Sequence, residues 1–395
     1  MPTHPLDRER LQRALDLAAT SFGLTEPNPR VGCVIGTADG RVFGEGATQQ
    51  AGGAHAEVQA LRAAQAAGHD VRGATAWVTL EPCAHHGRTP PCCDALVGAG
   101  IGRVVAALQD PFPAVAGTGL QRLRDAGITV ELAGTDLPDL ADLADAAHEL
   151  NIGFFSRVQR GRPWVRLKAA ASLDGRTALP NGVSQWITGE AARRDGHAWR
   201  RRAGAVLTGI GTVLADNPRL DVRLVPTARQ PLRVVVDSQL RLPPDAALLA
   251  PPGGVLVVGA SDPGTRAPVL QAAATVQLLP GSDGRVDLGA LLSDLAARGV
   301  NELHVEAGAV LNGALLAGGW VDELLLYVAP TLLGSGRGIA ALGPFEQMAQ
   351  TLRFAFLDCT PVGGDLRLRL RRASDVSMSI RFTEAPPRES GGDAK

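Results

Sequence analysis

His55-Ala56-Glu57, Glu81-Pro82-Cys83 and Pro91-Cys92 are three short segments whose side chains together suit a catalytic zinc site. One imidazole and two thiols give three protein ligands, which leaves the fourth tetrahedral position of the metal for water. That open position separates a hydrolytic centre from a structural one. Glu57, two residues beyond His55, can stand beside the water and carry its proton without ligating the metal. A lone His-x-Glu is common by chance; joined to two Pro-Cys pairs it becomes specific.

The surrounding pattern delivers these groups to one place. Ala56 to Ala67 reads as a helix ended by Gly68, with His55 and Glu57 at its start, and Trp77 to Leu80 reads as a strand that carries Glu81-Pro82-Cys83 at its carboxyl end. A second helix begins near Cys92, so two helix N-termini favour thiolate and hydroxide at the same point. Cys92 follows a proline as Cys83 does, and is preferred over Cys93 as the second thiolate, while Cys93 and Cys33 read as packing residues. His85 and His86 would close the coordination sphere as further ligands; a loop or substrate role suits them better. Upstream, Leu6, Leu11, Leu15, Ala18 and Phe22 mark an amphipathic helix that stops at Pro27-Asn28-Pro29, followed by strands Val31 to Ile35 and Arg41 to Gly44. Downstream, Arg103 to Leu108, Leu120 to Ala126 and Ile128 to Leu132 continue an α/β alternation, which predicts a sheet covered by helices.

A chain of 395 residues exceeds one ordinary hydrophobic core, so two domains are expected. The boundaries are read as 1–150, a basic joint at 151–163, a second α/β domain at 164–372 and a disordered tail at 373–395. The net charge of -1 argues against a polyanionic partner and for small-molecule substrates, with no nucleic acid. Five cysteines are too few for a disulfide scaffold. The charged N-terminus lacks a signal-peptide core, and the longest apolar run, Ala203 to Ala215, is too short for a bilayer. No membrane association and cytoplasmic residence are therefore expected.

In the second half, strands are expected at 165–171, 205–210, 232–237, 254–258, 275–279, 302–305 and 324–328, and helices at 191–201, 288–298 and 311–317. Gly209-Ile210-Gly211 lacks the third glycine of a Rossmann turn. Thr208 to Asp216 and Glu302 to Gly313 each run from a strand through small residues towards a helix, whose N-terminus can receive a phosphate.

His55-Ala56-Glu57 with Pro82-Cys83 resembles the zinc-dependent nucleoside deaminases, but eight residues rather than two separate Cys83 from Cys92. Glu81 to Cys92, with Pro27-Asn28-Pro29-Arg30-Val31-Gly32-Cys33-Val34, closely resembles the riboflavin-biosynthesis pyrimidine deaminase. Lys168 to Arg176, Ser184 to Thr188, Thr212 to Pro218, Val236-Asp237-Ser238 and Val305 to Gly308 resemble the reductase half of the bifunctional riboflavin-pathway deaminase-reductases. The resemblance implies an α/β chain with a cytidine-deaminase-like three-layer domain followed by a dihydrofolate-reductase-like domain. It implies one zinc on His55, Cys83 and Cys92, Glu57 as proton shuttle and Asn28 at the pyrimidine pocket. NADPH would contact Ala170, Trp186, Thr212, Asp216, Ser238 and the turn Gly308, Ala309, Val310, Leu311, Asn312 and Gly313. A phosphorylated pyrimidine substrate would contact Lys168, Asp174, Ser184, Arg200, Leu220, Arg223 and Glu306, with Asp174 and Glu306 as candidate general acids. A homo-oligomer, dimer or tetramer, is also implied. Two rivals are an RNA- or DNA-editing deaminase, which wants a basic surface, and a structural zinc module, which wants a fourth ligand and leaves Glu57 without a purpose.

Overall fold

The computed structural model describes residues 4–85, 90–112, 116–262, 264, 267–373 and 381–382. The chain divides into two compact units, Met1–Pro163 with Leu295–Asn301, and Trp164–Asp294 with Glu302–Lys395.

The first unit begins with α1 (Pro5–Ala19), β1 (Gly32–Gly36), β2 (Val42–Ala47), α2 (Ala56–Ala66), β3 (Thr75–Val78) and α3 (Cys92–Gly98). It continues with β4 (Arg103–Ala106), α4 (Thr118–Asp125), β5 (Thr129–Leu132), α5 (Ala141–Leu150) and α6 (Ile152–Arg160). The strand order is β2-β1-β3-β4-β5. β1 pairs antiparallel with both β2 and β3, and β3, β4 and β5 run parallel. Side chains alternate between two cores, because successive strand residues point to opposite faces. Cys33, Ile35, Val78 and Val104 pack against α2, α3 and α4, whereas Val34, Trp77 and Val105 pack against α1 and α5. The result is three layers. The basic segment read as a joint forms α6 instead, and its Phe155 is buried in the core with α2. Its charges mask an amphipathic helix whose apolar side is short.

Close packing of α2 on β2 sets the position of His55. A side chain at Gly46 would put its Cβ 2.3 Å from the Ala56 carbonyl oxygen, and one at Gly44 would come 2.1 Å from that of Ala60. Only glycine lets the first turn of α2 lie this near the sheet.

In the second unit, β6 (Trp164–Ser172), β7 (Arg176–Ala178), α7 (Glu190–Arg202), β8 (Ala205–Gly209), α8 (Ile210–Asp216), β9 (Leu232–Val236) and β10 (Val255–Gly259) come first. They precede α9 (Ala267–Ala273), β11 (Thr275–Leu278), α10 (Leu288–Ala297), β12 (Glu302–Val305), α11 (Ala309–Ala317) and β13 (Glu323–Ala329). β14 (Arg337–Gly338), β15 (Phe354–Val362), β16 (Asp365–Arg372) and β17 (Arg381–Phe382) follow. Among the described residues the main sheet runs β11-β10-β9-β8-β12-β6-β13-β16-β15-β17. It is parallel from β11 to β13 and becomes antiparallel where β13 meets β16 and β16 meets β15. β15 and β16 are additions to the expected strands. Apart from Ala373 and β17, the expectation of a disordered tail falls on residues outside those described.

β16 reads Leu366-Arg367-Leu368-Arg369-Leu370-Arg371, and its arginines are neutralised by neighbouring strands. The fully buried Glu323 of β13 accepts from Arg166 Nε at 2.8 Å, Arg369 Nε at 3.0 Å and Arg371 Nη2 at 3.1 Å. Burial alone would raise the Glu323 carboxyl, but the fields of Arg166 and Arg369 hold it well below the usual range. A depressed carboxylate contributes stability that is present above the unfolded value of about 4.3 and lost as pH falls through the folded value. Glu323→Gln should destabilise the second unit by about 3–5 kcal/mol at neutral pH, because three arginines lose their shared carboxylate. Urea unfolding checks this, and a loss below about 1 kcal/mol would show that the cluster is stabilised from elsewhere.

Candidate active sites

In the first unit, His55 occupies the N-cap of α2 in an extended conformation, and its ring makes no capping hydrogen bond. The ring turns instead to the two cysteines. Nδ1 lies 3.5 Å from Cys83 Sγ and 3.3 Å from Cys92 Sγ, and the Cys92 N–H donates to Cys83 Sγ at 3.3 Å. The three ligand atoms all lie within 4.8 Å of one another. A tetrahedral zinc with ordinary bond lengths separates its nitrogen and sulfur ligands by about 3.5 Å, so the donors already have the required spacing. One ring nitrogen can serve only one thiol as donor or acceptor, whereas a metal accounts for both sulfurs converging on it.

The site opens into a cavity of about 430 Å³ lined by Asn28, His55, Glu57, Cys83, Asp110 and Phe112, among others. Glu57 is 3% exposed. Burial pushes its carboxyl up to about 7, and a dication beside it favours the carboxylate again. The Cys92 side chain, hydrogen-bonded to Cys83, holds the Cys83 thiol down to about 4, while the same contact pushes Cys92 up. A metal held between them would favour the thiolate form of both. His85 lines the cavity outside the three-atom cluster, and His86 lies outside the described residues. Cys93 Sγ donates to the carbonyl oxygens of Pro82 and Gly119, a packing position.

Motif reading missed the use of Glu81. Its carboxylate accepts the backbone N–H groups of Asp110, Gly117, Gly119 and Leu120 at 3.0, 2.9, 2.8 and 3.3 Å. It therefore anchors the chain that brings Asp110 and Phe112 to the cavity wall. Those partners are 29 to 39 residues away, and no local pattern announces them.

In the second unit two clefts lie at the carboxyl ends of the parallel strands, where ligands bind in open α/β sheets. The larger, about 950 Å³, is lined by Thr212, Asp216, Ser238 and residues 308–311. The smaller, about 440 Å³, is lined by Lys168, Ala170, Trp186, Arg200, Leu220, Arg223 and Glu306. Ser184, Thr212, Asp216 and Ala307 belong to both. In the smaller cleft Arg200 Nη2 donates to Glu306 Oε2 at 2.9 Å, and Lys168 Nζ stands 3.9 Å from the same oxygen. Although burial opposes it, Arg200 and Lys168 hold the Glu306 carboxyl well below its usual range. His197, kept neutral to about 4 by burial and by Arg200, accepts the Arg223 N–H at 3.1 Å.

Three expected residues line neither cleft. Asp174 accepts from Ser172 Oγ at 2.5 Å and from the N–H groups of Leu333 and Gly334 at 3.1 and 2.7 Å, which brings its carboxyl down to about 2. It braces two loops. Both Asp174 and Glu306 are thus held towards the carboxylate form, which disfavours either as the proton donor of the reductase. Asn312 Nδ2 donates to the carbonyl oxygens of Ala307 and Ile339, and a Cβ at Gly313 would lie 2.0 Å from the Ala341 carbonyl oxygen. The first turn of α11 faces the cleft, and the next residues turn to 339–341.

Residues 5–108 match the model of the cytidine and deoxycytidylate deaminase zinc-binding region, and residues 163–368 match the RibD C-terminal domain. The riboflavin biosynthesis protein RibD of Escherichia coli K12 is 46% identical, over 92% of this chain and 99% of that protein. Its counterpart from Haemophilus influenzae is 43% identical over 91% and 95%. Among solved structures, Acinetobacter baumannii RibD, form 1, superposes with a TM-score of 0.83 at 44% identity, covering 94% of this chain and 100% of that one. A diaminohydroxyphosphoribosylaminopyrimidine deaminase/5-amino-6-(5-phosphoribosylamino)uracil reductase from Thermotoga maritima gives 0.83 at 32% identity, covering 94% and 99%. The chain belongs to the RibD family. It is a bifunctional deaminase and reductase of riboflavin biosynthesis.

RibD proteins join a zinc-dependent deaminase domain to a reductase domain that uses NADPH. The first unit fits zinc through the spacing of its imidazole and thiols. The larger cleft fits the nicotinamide cofactor through the N-terminus of α11, where Gly308, Ala309 and Val310 line it. No helix of the described residues is long and apolar enough to cross a membrane.

Proposed function

We propose that the first unit deaminates 2,5-diamino-6-(5-phosphoribosylamino)pyrimidin-4-one and that the second reduces the ribosyl group of the product to a ribityl chain. The convergence of His55 Nδ1, Cys83 Sγ and Cys92 Sγ beside the buried Glu57 carries the deaminase half of this reading. Zinc held by these three residues supplies a Lewis acid that activates water in the cavity. Glu57, buried beside that site, would take a proton from water in the cavity as its oxygen adds to the amine-bearing carbon, and return it to the nitrogen that leaves as ammonia. Asn28 borders the same cavity and orients the pyrimidine.

In the second unit, the residues lining the larger cleft would hold NADPH, which would supply the hydride for reduction of C1' of the opened sugar. Lys168, Ser184, Arg200, Leu220, Arg223 and Glu306 border the smaller cleft and position the sugar phosphate. Arg223 offers a planar fork to the phosphate, and the ionised Glu306 accepts from sugar hydroxyls. Cytoplasmic residence is part of the proposal, supported by free cysteines at all five positions. So is a homo-oligomer, supported by exposed apolar side chains such as Leu332 and Met348.

One assay tests the reading. Purified protein is given the diamino substrate with NADPH or NADH, and ammonia and reduced nicotinamide are followed together. Ammonia release should precede cofactor oxidation, and oxidation should require the deaminated product. Cofactor oxidation by the undeaminated substrate at equal rate would reverse the proposed order.

A further inference from the structure

We propose that Asn301, acting with Arg157, is a positioning residue for deamination: the pair fixes the turn that carries Asn28 at the pyrimidine cavity. This rests on Asn28 being a substrate contact. Pro27, Asn28 and Pro29 line the cavity, as does Arg157, whereas Asn301 does not. Asn301 closes the segment Leu295–Asn301, which belongs to the first unit although it stands 274 residues from Pro27 in the chain.

The turn has few backbone means of being held. Pro27 and Pro29 have no N–H, and the Asn28 N–H donates to the Thr25 carbonyl oxygen at 2.9 Å. Side chains grip it from both ends instead. On one side Asn151 accepts the Arg30 N–H at 2.7 Å and donates to the Arg30 carbonyl oxygen at 2.9 Å. On the other, the Pro27 carbonyl oxygen accepts from Arg157 Nη2 at 3.0 Å and from Asn301 Nδ2 at 3.1 Å, and Arg157 Nε donates to Asn301 Oδ1 at 2.6 Å. These three groups form a closed ring of hydrogen bonds. Asn301 is 3% exposed, so both ends of its amide are satisfied away from bulk water. The backbone just before it is pressed against the same proline: Gly299 has φ +85°, in the left-handed region, and a Cβ there would lie 2.8 Å from Pro27 Cβ. The Asn28 side-chain amide has no hydrogen-bond partner among the described residues, so its direction follows the backbone of this turn. A group that must meet a planar ring has to be placed within about 0.5 Å.

The test uses the full chain, with zinc content, deamination of the diamino substrate and reduction of the deaminated product measured on the same preparation. Asn301→Leu, similar in size but without the amide, should raise the deaminase KM by roughly tenfold and leave kcat within about twofold, the pattern of lost substrate binding with the chemistry intact. Arg157→Lys should do the same, because an ammonium keeps the charge but not the fork that bridges Asn301 and Pro27. Zinc should stay at one per chain and product reduction should be unchanged, which separates misplacement of Asn28 from misfolding. Asn28→Ala should also raise KM, and adding Asn301→Leu to it should change KM by less than about twofold further, since the residue being positioned is gone. An unchanged KM for Asn301→Leu beside a raised KM for Asn28→Ala would overturn the positioning role and leave the reading of Asn28 standing, as would full additivity of the two. An unchanged KM for Asn28→Ala would overturn both.

Discussion

Glu57→Gln should keep one zinc per chain and lose ammonia release by about a thousandfold, within the range for a positioned acid-base group. The substitution preserves shape and burial but removes the group that accepts and returns the proton. Glu57 is in the first turn of α2, one residue past Ala56 and two past His55, so the helix aims both side chains at one cavity. Metal content by atomic absorption and ammonia by a coupled assay give separate readouts. Zinc retained with turnover near normal would remove Glu57 from the proton path. Product-dependent NADPH oxidation should persist in this variant, because the groups lining the reductase clefts come from residues 168–337.

Cys92→Ser should cost the deaminase its zinc, while Cys93→Ser should leave zinc in place. The two thiols are adjacent in sequence and buried alike, yet their surroundings differ. Cys92 Sγ lies 3.3 Å from the imidazole nitrogen, and Cys93 Sγ faces the carbonyl oxygens of Pro82 and Gly119. Successive residues in the first turn of α3 point about 100° apart, so only one can face His55. A serine hydroxyl at 92 is a poor zinc ligand at neutral pH, and a weaker site should lose metal to a mild chelator. Zinc loss from Cys93→Ser with retention in Cys92→Ser would exchange the two assignments.

The proposed zinc ligands were legible because their chemistry is local. They span 38 residues, with His55 and Cys92 at helix starts and Cys83 in the loop that follows β3, elements that hydrophobic periodicity also marks. Cys92 over Cys93 followed from the preceding proline, and the geometry of α3 has the same preference. The reductase residues had no such marker. Lys168, Arg200, Arg223 and Glu306 come from separate elements joined by parallel strand pairing, and only the family resemblance singled them out.

By itself the sequence determined an α/β chain with two units, a zinc centre of one imidazole and two thiols, and the family. Hydrophobic period, turn residues and short ligand spacing act over a few residues and can be read there. Tertiary structure alone decided which expected residues share a cavity. It set Asp174 against a distant loop, turned Asn312 and Gly313 towards residues 339–341, and gave Glu81 its four backbone donors. Long-range contacts decided these roles, because a carboxylate's ionisation and a side chain's direction depend on groups packed around it from elsewhere in the chain.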